Sequence, residues 1–452
     1  MTNYNNLQNE VNKVSGLTWD IAEKVWGFAE LGMQEYKSSA LQRETLENDG
    51  FTISHQGVAG LETAWVASYG SGSPEIGLLI EFDALPDLGN ATTPHKQAAA
   101  SGNSNGHGCG HNLIGAGTVG AAIALKNHMQ KEGIPGTIRV FACPAEELLA
   151  GKNYMAKAGV FDDLDVCIHH HPGPVTVPFN FRSTASMDLE IEFKGVTAHA
   201  GASPWDGRSA LQAAQLFTHG VDMMREHIIP SARMHYIIEN GGTAVNVVPD
   251  YAKVVFRYRG PNAENVKKHI SWIKDIAQGT ALATQTQESI LVLAGCYDLL
   301  PNDVLAERMS QHLNNHFPIQ WSDDEQAFAK VIQTEMGVPA DGMATAVLPK
   351  ECTIEMGGSS DVGDVSWIIP TIGAMFSSWP QHVSAHQWGC TATNGMDIGK
   401  KGVIQASQVM AAMALDLLTS PELIEQATDE FMNRTGGKPY ISLCEKDTYP
   451  IR

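Results

Sequence analysis

Ile76-Gly-Leu-Leu-Ile-Glu81 and Thr137-Ile-Arg-Val-Phe-Ala142 are the two stretches that decide the fold. Each is short and almost wholly apolar, the pattern of a strand covered on both faces rather than of one with a wet side. Between them, from about 116 to 131, the chain reads as helix. Strand, helix, strand in that order predicts an α/β fold: a mostly parallel sheet with helices on both faces. In such sheets functional groups gather beyond the carboxyl ends of the strands, where Asp83 and Glu146-Glu147 stand.

Upstream, apolar Ile21, Val25, Phe28 and Leu31 recur at helical steps from Thr18, and Leu41 and Leu46 continue them less regularly to about Asn48. Downstream of His169 the texture changes. Asp188-Leu-Glu-Ile-Glu-Phe193 alternates strictly and residues 252–259 do so in part, predicting half-exposed antiparallel strands. Helical patterns over 209–226 and 263–282 separate and follow them. This predicts a smaller α+β unit at 186–298, inserted into a larger domain formed by 1–185 and 299–452.

The 452 residues contain 30 Lys and Arg against 50 Asp and Glu, and the resulting formal charge of −20 argues against nucleic acid or an anionic membrane as partner. Hydrophobic residues at 43% and charged residues at 18% describe a folding chain, not a disordered one. The first sixteen residues have neither a basic start nor an apolar core of a secretory signal, and no run of about 18 apolar residues occurs. Seven scattered cysteines fit a reducing compartment, so a cytoplasmic location is expected.

His107-Gly-Cys-Gly-His-Asn112 offers a thiolate and imidazoles on a loop that glycines allow to turn tightly, which suits a zinc-like cation. A glycine-rich turn with incidental ligands would look the same. Pro144-Ala-Glu-Glu147 follows a strand, and two adjacent carboxylates point different ways, so one can hold a metal while the other moves a proton. A solvated helix start is the plain alternative. His169-His-His-Pro172 and the two histidines of Trp379-Pro-Gln-His-Val-Ser-Ala-His-Gln-Trp388 add further candidates, either of which could be simple loop. Chemistry-bearing residues in four distant segments, each beside an expected strand end, ask for a shared centre.

This set resembles the aminoacylase and hippurate-hydrolase class of two-metal peptidases, and within it the aminobenzoyl-glutamate hydrolase branch. The motifs that carry the resemblance run through nearly the whole chain: Trp26-Gly-Phe-Ala-Glu-Leu31, Glu81-Phe-Asp-Ala-Leu-Pro86, the Gly-Cys-Gly-His loop, Pro-Ala-Glu-Glu, Gly195-Val-Thr-Ala-His-Ala200, Gly242-Thr-Ala-Val-Asn-Val-Val-Pro249 and Asp361-Val-Gly-Asp-Val-Ser-Trp367. The resemblance implies Cys109, His111, Glu147, His171 and His386 as ligands of two divalent metal ions, zinc or manganese, with His169, His170 and His382 as fallback ligands. It implies Glu146 as general base, Asp83 as the acid that orients a ligand, and His199 and Asn246 as groups on the smaller domain that reach the substrate. Two positions depart from the family pattern: Asn112 stands where many relatives carry Asp, and Cys143 where Gln is frequent.

The expected reaction is hydrolysis of an amide in an N-acyl or N-aroyl amino acid or a dipeptide, by a homodimer paired through the inserted domain. Two rivals share the residues: a thiol amidase using Cys109 as nucleophile, and a non-catalytic protein that only binds metal or ligand.

Overall fold

A computed structural model describes residues 4–315, 319–352 and 358–444. Gly357, the first residue of the run that leads into Asp361, lies outside the described residues, as do both ends of the chain. Among the described residues eleven strands form two sheets. They are β1 (Thr52–Gln56), β2 (Trp65–Ser71), β3 (Glu75–Ile80), β4 (Gly136–Ala142), β5 (Val166–Gly173), β6 (Val177–Pro178), β7 (Ala185–Lys194), β8 (Arg233–Asn240), β9 (Tyr251–Gly260), β10 (Gln287–Cys296) and β11 (Thr371–Ser377).

The larger sheet has the order β1-β2-β4-β3-β5-β11-β6. Its four inner strands β4, β3, β5 and β11 run parallel, β2 and β6 run against them, and β1 pairs antiparallel with β2, so the sheet is mixed with a parallel centre. The two apolar runs are β3 and β4, neighbours in that centre. Strand pleating sends Ile76, Leu78 and Ile80 into one core and Leu79 into the other. On the first side the helix His111–Glu132 is buried on nearly every face against the helices Tyr4–Phe28 and Asp397–Thr419. Gly120 lets it approach closely: a Cβ there would collide with Thr18. The helix Asp397–Thr419 is long and apolar enough to cross a membrane, but 83% of its apolar window is buried inside the protein, where it serves as a core helix.

The helical region expected from Thr18 to Asn48 is two helices, Tyr4–Phe28 and Tyr36–Asn48. The break has a cause: Leu31 bridges Ala84 just beyond the end of β3, and Glu35 turns inward to accept the backbone N–H of Ala145 at 2.7 Å. Positive φ at Ala29 and Met33 makes the turn.

The second sheet, β10-β7-β9-β8, is antiparallel throughout. Alternate residues of β7 and β9 are buried beneath the helices Ala210–Met224 and Ala263–Thr284. Strand β8 forms an edge, and Ile237 and Ile238 on it are exposed. That mixed exposure leaves β8 without the alternation that marks its neighbours.

Candidate metal centre

Beyond Ile80, the end of β3, Glu81-Phe82-Asp83 enters the space above the sheet. Asp83 is buried and divides its carboxylate between two partners: His111 Nδ1 donates to Oδ1 at 2.8 Å, and the backbone N–H of Glu147 donates to Oδ2 at 3.0 Å. The first bond places the ring proton on Nδ1, leaving the Nε2 lone pair of His111 for a cation. His171 is set the same way, its Nδ1 donating to the Pro172 carbonyl at 2.5 Å while Nε2 lies 3.4 Å from Cys109 Sγ. The loop that carries Cys109 and His111 turns through Gly110, whose φ of +79° favours glycine. Beyond β4, Ala145 adopts a left-handed conformation held by Glu35, which turns Glu146 and Glu147 to the same space.

Around His111 Nε2 stand Glu81 Oε2 at 3.6 Å, Glu146 Oε2 at 3.8 Å and Glu147 Oε1 at 3.9 Å, and His386 Nε2 lies 3.3 Å from Glu147 Oε2. Three overlapping groups have ligand atoms all within 4.8 Å of one another: Cys109, His111 and His171; Cys109, Glu147 and His386; Glu81, His111 and Glu146. His111 Nε2 and Glu147 Oε1 are buried without a hydrogen-bond partner, which costs free energy unless a cation satisfies them. Thiolate, imidazole and carboxylate are the donor set that divalent transition metals take. The residues fit two such ions, Cys109 being common to two groups.

The electrostatics point the same way. Burial, with Glu81 next in effect, pushes the Glu146 carboxyl well above its usual range, and burial raises Glu147 to about 7. Burial and then His111 push His171 down to about 4, so it stands neutral, as a ligand must. Burial and the charge of Glu147 hold the Cys109 thiol well above its ordinary value. Crowded anions of this kind call for added positive charge.

The other expected residues fall elsewhere. Pleating puts His170 on the opposite face of β5 from His169 and His171, and its Nε2 donates to the Ile114 carbonyl in the helical core. His169 lines the cavity but packs on Phe179 and across Gly373. His382 is exposed and bonds Asp341 at 2.8 Å. His199 and Asn246 are neighbours on the smaller domain, where Ala200 N–H donates to the Asn246 carbonyl, and neither lines the cavity. His199 Nδ1 accepts from the N–H groups of Gly201 and Ala202, which puts its proton on Nε2.

Sequence reasoning assigned no role to Glu35, Glu81, Lys152, Arg259 or Asp361. The buried Lys152 ammonium meets Glu81 Oε1 and Asp361 Oδ1, both at 2.6 Å. The cavity above the centre measures about 830 Å³ and has an apolar wall that includes Phe179, Phe181, Leu348 and Trp379. From β9 Arg257 and Arg259 also line it.

Residues 182–284 match the pattern of a peptidase dimerisation domain. The chain is 34% identical over 458 residues to one of the subunits of the p-aminobenzoyl-glutamate hydrolase of Escherichia coli (strain K12), covering 95% of each protein. The chain belongs to the M20 peptidase family. To the Xaa-Arg dipeptidase of Mus musculus it is 26% identical over 423 residues, 91% of this chain and 88% of that one. Among solved structures of the family's fold, the aminobenzoyl-glutamate utilization protein from Klebsiella pneumoniae superposes with a TM-score of 0.64 at 18% identity, over 91% of this chain and 98% of that one. A dinuclear metal binding peptidase of the M20 family from Bacillus subtilis gives a TM-score of 0.59 at 18% identity, over 90% and 99%. As a member of this family the chain is a metal-dependent amidohydrolase, and the three side-chain groups above are its candidate metal ligands.

Proposed function

We propose that this protein hydrolyses the amide bond of an N-acyl or N-aroyl amino acid, with an aminobenzoyl-glutamate-like compound as its substrate and zinc or manganese as its metal. The observation that carries the reading is the pair of ligand groups sharing Cys109, with Glu146 beside them under an apolar cavity. When bound, two divalent cations lower the pKa of a water and polarise the amide carbonyl. Glu146 takes the proton of the attacking water and passes it to the leaving amine; its raised pKa suits it to both halves of that task. Cys109 among the ligands favours zinc over oxygen-seeking ions.

Two features of the cavity support an acyl amino acid. The apolar wall suits an acyl or aryl group. Of the two arginines in the lining, Arg257 is occupied by a two-pronged bond to Asp188, whereas Arg259 bonds Ser359 Oγ at 2.8 Å and is held by no carboxylate among the described residues. A guanidinium free to form a bidentate pair is the natural anchor for a substrate carboxylate. Arg259→Met should raise KM on N-aroyl amino acids roughly tenfold to a hundredfold with a smaller change in kcat, as expected on losing a charged hydrogen bond. Steady-state kinetics over a panel of acyl and aroyl amino acids and their amides checks this; equal KM in variant and parent would remove Arg259 from substrate binding.

His199 does not line the cavity of its own chain, and the smaller domain that carries it exposes Ile237, Ile238, Val245 and Trp205 as apolar surface. We take the active form to be a homodimer in which His199 and Asn246 complete the partner's site. His199→Ala should lose about a hundredfold or more in kcat, the cost of one oxyanion donor. Mixing it with Glu146→Gln chains should then restore activity, because a hybrid dimer contains one intact site. Hybrids as inactive as their parents would place His199 in its own chain's site. The seven free cysteines, six of them buried, support a cytoplasmic location.

A further inference from the structure

Lys152, Glu81 and Asp361 form a fully buried cluster for which the proposed reaction has no use. Lys152 and Asp361 have side chains with no exposed surface, and Glu81 is 5% exposed. Asp361 is fixed first: its Oδ2 accepts the backbone N–H groups of Gly151 and Lys152 at 3.2 and 2.7 Å, and its Oδ1 meets Lys152 Nζ at 2.6 Å. Lys152 Nζ also meets Glu81 Oε1 at 2.6 Å. With one oxygen committed to the ammonium, the Glu81 carboxylate has a set rotation, and Oε2 is directed at His111 Nε2, 3.6 Å away.

Two ligand atoms of a tetrahedral cation with bonds near 2.1 Å lie about 3.4 Å apart. The Glu81–His111 separation is therefore close to that between neighbouring ligands of one ion, and Glu146, within 4.8 Å of both, is left to move the proton. We propose that Glu81 is a further cation-contacting carboxylate of the dinuclear centre, aimed by the Lys152–Asp361 pair. This rests on the two-cation reading of the site but not on any substrate. The arrangement also has an electrostatic logic: Lys152 neutralises part of the charge of Glu81 and Asp361, so a second acidic contact can join Glu147, with Glu146 close by, without an uncompensated buried anion.

Titrating the purified full-length protein with zinc or manganese against a chelator, with no substrate present, tests it independently of hydrolysis. Glu81→Gln keeps an oxygen for Lys152 and should weaken one of the two cations by roughly 10- to 100-fold while the other binds unchanged. Glu81→Asp keeps the charge but is one methylene too short to serve both partners, and should weaken the same cation. Parental affinity for both cations in either variant would overturn the proposal. Should neither variant fold, anomalous scattering from crystals of the parent with manganese decides: a cation within about 2.6 Å of Glu81 Oε2 supports the assignment, and both cations beyond about 3.5 Å from it overturn it.

Discussion

Glu146→Gln is expected to retain two equivalents of metal and to lose about a thousandfold or more in kcat. The substitution preserves shape and hydrogen-bonding reach but removes the group that accepts the water's proton, and a positioned acid or base contributes about 10²–10⁴-fold. Metal retention follows from the geometry. The carboxylate that closes the group with Cys109 and His386 is Glu147, fixed through its backbone N–H by Asp83, while Glu146 groups instead with His111 and Glu81. Burial already holds the Glu146 carboxyl well above its usual range, so an amide there relieves a charge that the pocket opposes and the fold should tolerate it. Elemental analysis alongside single-turnover rates checks both halves. Full activity in the variant would end the assignment of Glu146 as base.

Removing the metals should abolish turnover completely and lower Tm, and adding back zinc or manganese should restore both. The stability loss has a definite origin. Without cations, His111 Nε2 and Glu147 Oε1 are buried and unsatisfied, and the carboxylates of Glu81, Asp83, Glu146 and Glu147 crowd one pocket. A ligand present at 100 times its Kd stabilises the folded state by about 2.7 kcal/mol, and two ions act together here. Thermal unfolding and activity before and after chelation measure this. The same experiment separates the thiol-amidase reading, in which Cys109 would continue to work after chelation. The structure already weighs against that reading: burial and the neighbouring Glu147 disfavour the Cys109 thiolate in the absence of metal, and a reactive cysteine needs the opposite environment. Undiminished turnover in metal-free protein would restore the thiol mechanism.

Much of this centre was legible in the residues. β3 and β4 stood out because a strand covered on both faces needs a continuous apolar run, and the helical stretch between them completed the strand, helix, strand order. The Gly-Cys-Gly-His loop and the paired glutamates were visible because local chemistry and spacing define them. Strands β1, β2, β8 and β10 were not, since they flank the parallel centre or form edges, and partial exposure leaves them no clean periodicity, while β6 is too short, at two residues, to show any. The three consecutive histidines show the limit most clearly. Local chemistry left 169, 170 and 171 open and the resemblance preferred 171; the pleat of β5 puts His170 in the core, and His171 is the one whose ring lies beside Cys109, while His169 packs on Phe179.

By itself, then, the sequence determined the class of sheet, the presence of an inserted α+β unit and the kinds of ligand that meet. Only the tertiary structure decided that Lys152 ties Glu81 to Asp361, that Arg259 lines the cavity without a carboxylate partner among the described residues, and that His199 does not line its own chain's cavity. The physical reason is range. Periodicity and turn chemistry act between residues a few positions apart and leave a local signature, whereas an ion pair between residues 152 and 361 leaves none until the chain path brings them within 2.6 Å.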